Sequence, residues 1–160
     1  MEKPGRLSAD EQEVWDSFFR MRRHLDRALD EQLSKDANLS YSDYEVLIAL
    51  LRAPERRARV RDLVATIRWE KSRVSHHVTR MEKRGLVERR PCDTDARASF
   101  IHLTTEGRRA VVKASPRHVD TIRALFFDQL TPEQLESLGA ASRSVLGTLD
   151  ACDPGDDSED

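Results

Sequence analysis

The stretch KSRVSHHVTRMEKRGLVERR, residues 71–90, carries the pattern from which the architecture is read. Val74, Val78 and Met81 recur at helical spacing on one face, leaving Arg73, Ser75, His76, Thr79, Arg80 and Lys83 toward the others. Ser72 stands at the start of this helix, where backbone N–H groups and a hydroxyl can meet a phosphate. Gly85 is its natural stop, because glycine accepts the left-handed conformation that ends helices. Residues 86–90 and 99–103 then read as two short strands separated by the polar loop CDTDARA, which is longer than a tight hairpin turn. Upstream, VRDLVATI (60–67) offers Leu63, Val64 and Ile67 as the apolar face of a preceding short helix. Two short helices followed by two strands and a loop make a helix-turn-helix with a wing, whose second helix is shaped to enter a groove.

Toward the N-terminus, residues 7–36 place Val14, Trp15, Phe18, Phe19, Met21, Leu25, Leu29 and Leu33 mostly three or four apart, the pattern of a long amphipathic helix. Ser8 is its N-cap with Glu11 as capping-box partner, and the cluster 36–40 ends it. At 1.5 Å per residue such a helix extends roughly 39 Å, so its apolar stripe needs another helix or subunit as cover. Residues 39–57 give a second helix, with Leu39, Tyr44, Val46, Leu47, Leu50 and Leu51 inward, Ser40 or Ser42 as cap, and Ala53 and Pro54 as its close.

Beyond the strands, helix returns at Thr105, with Pro116 as a candidate kink, and again at Thr131, which caps a last helix with Pro132 and Gln134 behind it. The stripe Val119, Ile122, Leu125, Phe126, Leu130, Leu135, Leu138, Val145, Leu146 and Leu149 suits packing against the first long helix. The expected fold is therefore mainly α with a small antiparallel β wing. Its parts are an N-terminal helix (1–38), a winged helix-turn-helix lobe (39–104), C-terminal helices (105–152) and an acidic tail (153–160) too polar to pack.

The chain has 160 residues, 38% of them apolar, which suits one domain and excludes a large multidomain enzyme. No stretch approaches the roughly 18 apolar residues of a membrane span, and the opening MEKPGRLSADEQE lacks the apolar centre of a secretory signal, so a cytoplasmic location is expected. The net charge of −2 hides a sharp partition. Between Arg52 and Arg109 lie 16 basic and 8 acidic groups, a net of +8, while the remainder carries 11 and 21, a net of −10. A positive centre between acidic ends suggests one surface for a polyanion; ordinary solvated helix charge is the plainer alternative.

In this order and spacing, LSYSDYEVLIAL, RDLVATI, KSRVSHHVTRMEKRGLVERR and CDTDARASFIHLTTEGR resemble the multiple-antibiotic-resistance-regulator (MarR) family of bacterial winged-helix transcription factors over nearly the whole chain. The resemblance implies a recognition helix over residues 71–84, a wing arginine at Arg97 with Asp95 as its acid partner, and a strand-to-helix junction at Leu103, Thr104 and Gly107. It also implies a homodimer with interlocked N- and C-terminal helices, bound to a roughly palindromic double-stranded DNA site and acting as a repressor. The DNA-binding candidates are Ser72, Arg73, Ser75, His76, His77, Thr79, Arg80, Lys83, Arg89, Arg90, Asp95 and Arg97. Arg89 and Arg90 are assigned to the DNA backbone and Arg97 to the minor groove. For Asp95 and Arg97, a surface salt bridge at a turn is the competing reading.

Many members of this family release DNA when a small aromatic or phenolic molecule binds near the dimer helices, and Trp15, Phe19, Arg20 and His24 are the candidate contacts here. Core packing is the alternative for the two rings. Cys92 opens the wing beside Arg89 and Arg90, cations that favour its thiolate, and is the candidate redox residue; relatives that sense peroxide use a cysteine in the N-terminal helical region, which this chain lacks. Cys92 and Cys152 form no CxxC pair. His76 and His77 diverge on a helix, and no nucleophilic triad, phosphate loop or HExxH motif is present, so neither enzyme nor metal chemistry nor a cofactor is expected. A winged-helix adaptor that binds protein or small molecules without selecting DNA is the rival function.

Overall fold

The structure is a computed structural model and describes residues 5–92 and 95–152; the side chains of residues 92, 95–98 and 152 fall outside that description. It divides into two units, Met1–Thr121 and Ile122–Asp160.

The first unit opens with α1 (Ala9–Ala37), capped by the expected box of Ser8 and Glu11 and closed by Asn38 in the left-handed conformation. Its 29 residues span about 43 Å. Only Leu29 and Leu33, in its second half, are buried. The first half leaves Val14, Trp15, Phe18 and Met21 between 43% and 70% exposed in the single chain. The helix α2 (Tyr41–Arg52) follows at once, with Ser40 as cap and Asp43 completing a second capping box.

A three-residue strand, β1 (Arg57–Arg59), then precedes α3 (Val60–Ile67) and α4 (Lys71–Lys83). The strand was not foreseen, because three residues with one inward Ala58 are too few for alternation to register. It pairs with β3 (Asp95–Leu103), which also pairs with β2 (Val87–Cys92), giving an antiparallel sheet in the order β1-β3-β2. The wing strands are longer than the sequence pattern suggested. Ladder bonding carries into the polar segment, with Pro91 opposite Ser99 and a register shift before Cys92.

The core of this unit is built from Leu33, Leu39, Val46, Leu47, Leu50, Leu63, Val74, Val78, Met81, Val87, Ile101 and Val111, each no more than 1% exposed. The expected inner face of α4 is thus buried in full. At the end of α4 the Gly85 amide bonds Glu82 O and the Leu86 amide bonds Met81 O, a Schellman closure that needs Gly85 at φ 72°. Thr104 ties this corner to α5 (Thr105–Leu125): its hydroxyl accepts from the Gly107 amide and lies within bonding distance of the Gly85 and Leu86 carbonyls. Gly107 is required by contact, since a Cβ there would stand 2.0 Å from Leu86 O. The helix α5 runs through Pro116 without interruption.

In the second unit a 3-10 turn (Phe127–Gln129) leads to α6 (Pro132–Cys152). Thr131 and Gln134 exchange the expected capping bonds. Leu135, Val145, Leu146 and Leu149 are 43–59% exposed. Among the described residues no helix is long and apolar enough to cross a membrane. The acidic tail, residues 153–160, lies outside the described residues.

Candidate nucleic-acid interface

Helices α3 and α4 are joined by Arg68, Trp69 and Glu70, the short turn of a helix-turn-helix. Arg68 takes the left-handed conformation at φ 55° where glycine is common. With Val74, Val78 and Met81 locked in the core, the outer face of α4 presents Lys71, Ser72, Arg73, His76, Arg80 and Lys83 to solvent. Ser72 lies in the first turn as expected, although Glu70 is the N-cap and makes no side-chain cap bond. The Arg73 guanidinium lies 3.9 Å above the ring of Trp69, which is itself only 9% exposed. That stacking holds the charge outward on a fixed platform.

Several of the sequence candidates are engaged with the protein itself, Thr79, Arg89 and Arg90 among them. Thr79 donates to Ser75 O at 2.9 Å and accepts from Arg89 at 3.1 Å. Arg89, expected on the DNA backbone, bridges β2 to α4: its guanidinium bonds Glu82 Oε2 at 2.9 Å and Ser75 O at 3.2 Å. Arg90 is exposed and paired with Glu88.

His77 requires a correction. It is 6% exposed and faces the interior, because the helical turn that carries Val74, Val78 and Met81 inward carries position 77 with them. Its Nε2 lies 3.0 Å from Asp43 Oδ1. Its Nδ1 lies 3.0 Å from Arg80 Nη2. Direct contact of His77 with a nucleic acid is therefore excluded in this conformation.

Asp43 is the residue that sequence reasoning passed over. It is 2% exposed and accepts from the Ser40 amide at 2.9 Å and from Arg84, which also donates to Asn38 O. Burial alone would raise its carboxyl, but His77, the Ser40 amide and Arg84 together outweigh that and hold it well below the usual carboxylate range. Its place in the S-x-x-D box was visible in the sequence; its pairing with side chains 34 and 41 positions downstream was not. Trp69 had no signal beyond being apolar. A polar cleft of about 500 Å³ opens at this junction, lined in part by Asp30, Ser34, Ser42, His77 and Arg80.

At the sheet, Arg57 and Arg59 stand 4.7 and 5.3 Å from the Phe100 ring, adding cations that the strand reading had not located. His102 is pushed below its ordinary value by burial, then by Arg90 and Arg57. Asp95 and Arg97 belong to β3 by backbone, but their side chains, like that of Cys92, lie outside the described residues. On α1, the rings of Trp15 and Phe19 lie 4.4 Å apart, tilted at 49°, with Trp15 54% exposed and Arg20 and His24 on the solvent side. No group of three or more His, Cys, Asp or Glu that could hold a metal ion occurs among the described residues.

Comparison with known proteins agrees with this geometry. The model of the MarR family matches residues 37–98, which take in α2 to the wing. The transcriptional regulator HosA of Escherichia coli is 30% identical over 113 residues, 69% of this chain and 80% of that protein. Sco3205, a MarR family transcriptional regulator from Streptomyces coelicolor whose crystal structure contains DNA, superposes with a TM-score of 0.87 at 40% identity, covering 93% of each chain. AbsC, a MarR family regulator from the same organism, gives a TM-score of 0.85 at 34% identity over 91% of this chain and 98% of its own. With a buried-core helix-turn-helix, an antiparallel wing and relatives at these levels, the chain belongs to the MarR family of DNA-binding winged helix-turn-helix transcriptional regulators, which are not enzymes.

Proposed function

We propose that the chain is a homodimeric, sequence-specific repressor that places α4 in the major groove of a roughly palindromic operator in the cytoplasm. The observation that carries this is the outer face of α4: Lys71, Arg73, His76, Arg80 and Lys83 are exposed on a helix whose opposite face is fixed in the core. A rigid cationic face can read base edges and phosphates without first being ordered. Arg73 and Lys83 serve the backbone, Arg80 the bases, and Arg97 the adjacent minor groove with Asp95 as its orienting acid. That Sco3205, 40% identical to this chain, is crystallised in complex with DNA supports the reading of this chain as DNA-binding.

The exposed apolar stripes of α1 and α6 support a second copy as their cover. Two-fold symmetry would then set the recognition helices about one duplex turn, roughly 34 Å, apart. Release by a small aromatic or phenolic effector requires unequal affinity for the DNA-competent and incompetent forms. The open Trp15–Phe19 pair, with Arg20 and His24 beside it, is the place on α1 where a partner helix could complete such a pocket.

Selection from a random duplex pool tests the function directly. Enrichment of an inverted repeat with half-sites about 10 base pairs apart is the expected result. Shallow, salt-sensitive binding with no enriched sequence would replace the repressor by a basic adaptor.

A further inference from the structure

We propose that Asp43 and His77 are positioning residues for Arg80, setting the direction of its guanidinium on the DNA-facing side of α4. The inference rests on the reading of α4 as the helix that contacts DNA. A guanidinium has N–H donors and no acceptor, so in its 3.0 Å contact with His77 Nδ1 Arg80 donates and Nδ1 carries a lone pair. The imidazole proton then sits on Nε2, 3.0 Å from the Asp43 carboxylate. Trp69 packs edge-on to the same ring at 5.5 Å and 84°, which fixes its plane. Asp43 is fixed in turn by the Ser40 amide and by Arg84. A buried carboxylate, a neutral imidazole and an exposed guanidinium thus form a continuous line from the start of α2 to the outer face of α4.

The consequence is preorganisation. A free surface arginine loses rotamer freedom when it docks, whereas one already held by His77 loses less and keeps its remaining N–H donors for the duplex. His77 therefore acts on DNA through Arg80 and not by touching it.

The test uses the full-length protein and the duplex it selects from a random pool, with a shuffled duplex of the same composition as control. In anisotropy titrations at fixed salt, His77→Phe should weaken binding to the selected duplex about tenfold, the scale of one hydrogen bond to a charged group. Binding to the shuffled duplex should change less than about twofold. In an Arg80→Ala background the same His77→Phe change should alter affinity for the selected duplex less than about twofold, because the group through which it acts is gone. His77→Asn, which sets an amide oxygen near the place of Nδ1, should recover binding, and His77→Gln, which reaches the place of Nε2, should not. Thermal melts of each variant separate these effects from loss of fold. Equal, additive losses in both backgrounds would make His77 a core residue only and overturn the proposal, as would long-range 1H–15N spectra showing the proton on Nδ1. Failure of the wild type to select any sequence would remove the DNA reading itself, and this inference with it.

Discussion

Replacing Asp43 with alanine removes three partnerships at once, and their sizes follow from where each partner lies. The carboxylate caps α2 through the Ser40 amide, and such caps contribute about 1 kcal/mol. It also lies 3.0 Å from the His77 imidazole, which is 6% exposed and has little access to water if the carboxylate is lost. Arg84 is different: its side chain is 41% exposed and rehydrates, so its share is screened. We expect Asp43→Ala to cost about 3 to 4 kcal/mol, the lost cap together with the penalty for leaving the buried imidazole N–H without its facing acceptor. For a chain of this size that lowers Tm by about 6–16 °C. Asp43→Asn keeps the cap acceptor and should cost about 2 kcal/mol.

Urea denaturation at fixed protein concentration, followed by circular dichroism, measures both variants. Acid supplies an independent check on the cause. The folded carboxyl is held below its unfolded value, so its contribution is complete above about pH 4 and is lost as the pH falls from there toward the folded value. The gap between wild type and Asp43→Ala should therefore stay constant near neutrality and narrow below about pH 4. A cost under about 1 kcal/mol, or a gap that does not narrow on acidification, would contradict this assignment of roles to Asp43.

Gly107→Ala should destabilise the protein by about 2 kcal/mol or more in the same assay, because the new methyl meets backbone at Leu86 O; wild-type stability would show that α5 can move aside. Removing Lys83 or Arg73 should lower the slope of log affinity against log salt by about 0.9 for each phosphate no longer neutralised, and an unchanged slope would take that residue off the DNA backbone. Arg89→Ala should instead lower stability by about 1–2 kcal/mol with little change in that slope, since its guanidinium is committed to Glu82 and Ser75 O; the reverse pattern would return Arg89 to the phosphates. Sedimentation at low micromolar concentration should give dimer mass for the wild type and monomer mass for Leu146→Asp/Leu149→Asp, and a wild-type monomer would end the proposal that a second copy covers α6.

Local patterns carried most of the architecture. The capping boxes at Ser8, Ser40 and Thr131, the inward triplet Val74, Val78 and Met81, and the stop at Gly85 depend on residues within about one helical turn of each other, so spacing alone exposes them. The strand β1 escaped because its pairing partner, β3, lies more than 40 residues away, and three residues carry no period of their own. The same distance rule divides the candidate site. Arg73, His76, Arg80 and Lys83 were legible as the outer face of a helix. Whether each cation is free or engaged was not, because that depends on neighbours brought in from other elements.

A helix-turn-helix with a wing, and a +8 centre set between acidic ends that sum to −10, can be read from the order of residues alone. These are properties of short-range order and of charge, which sequence position records directly. It took the packed chain to turn His77 inward to Asp43, to brace β2 against α4 through Arg89, and to close the corner under Leu86 with Thr104 and Gly107. Each of those interactions joins groups made neighbours by packing. Their energies come from burial and from the direction of particular donors and acceptors, quantities that exist only once the chain has folded.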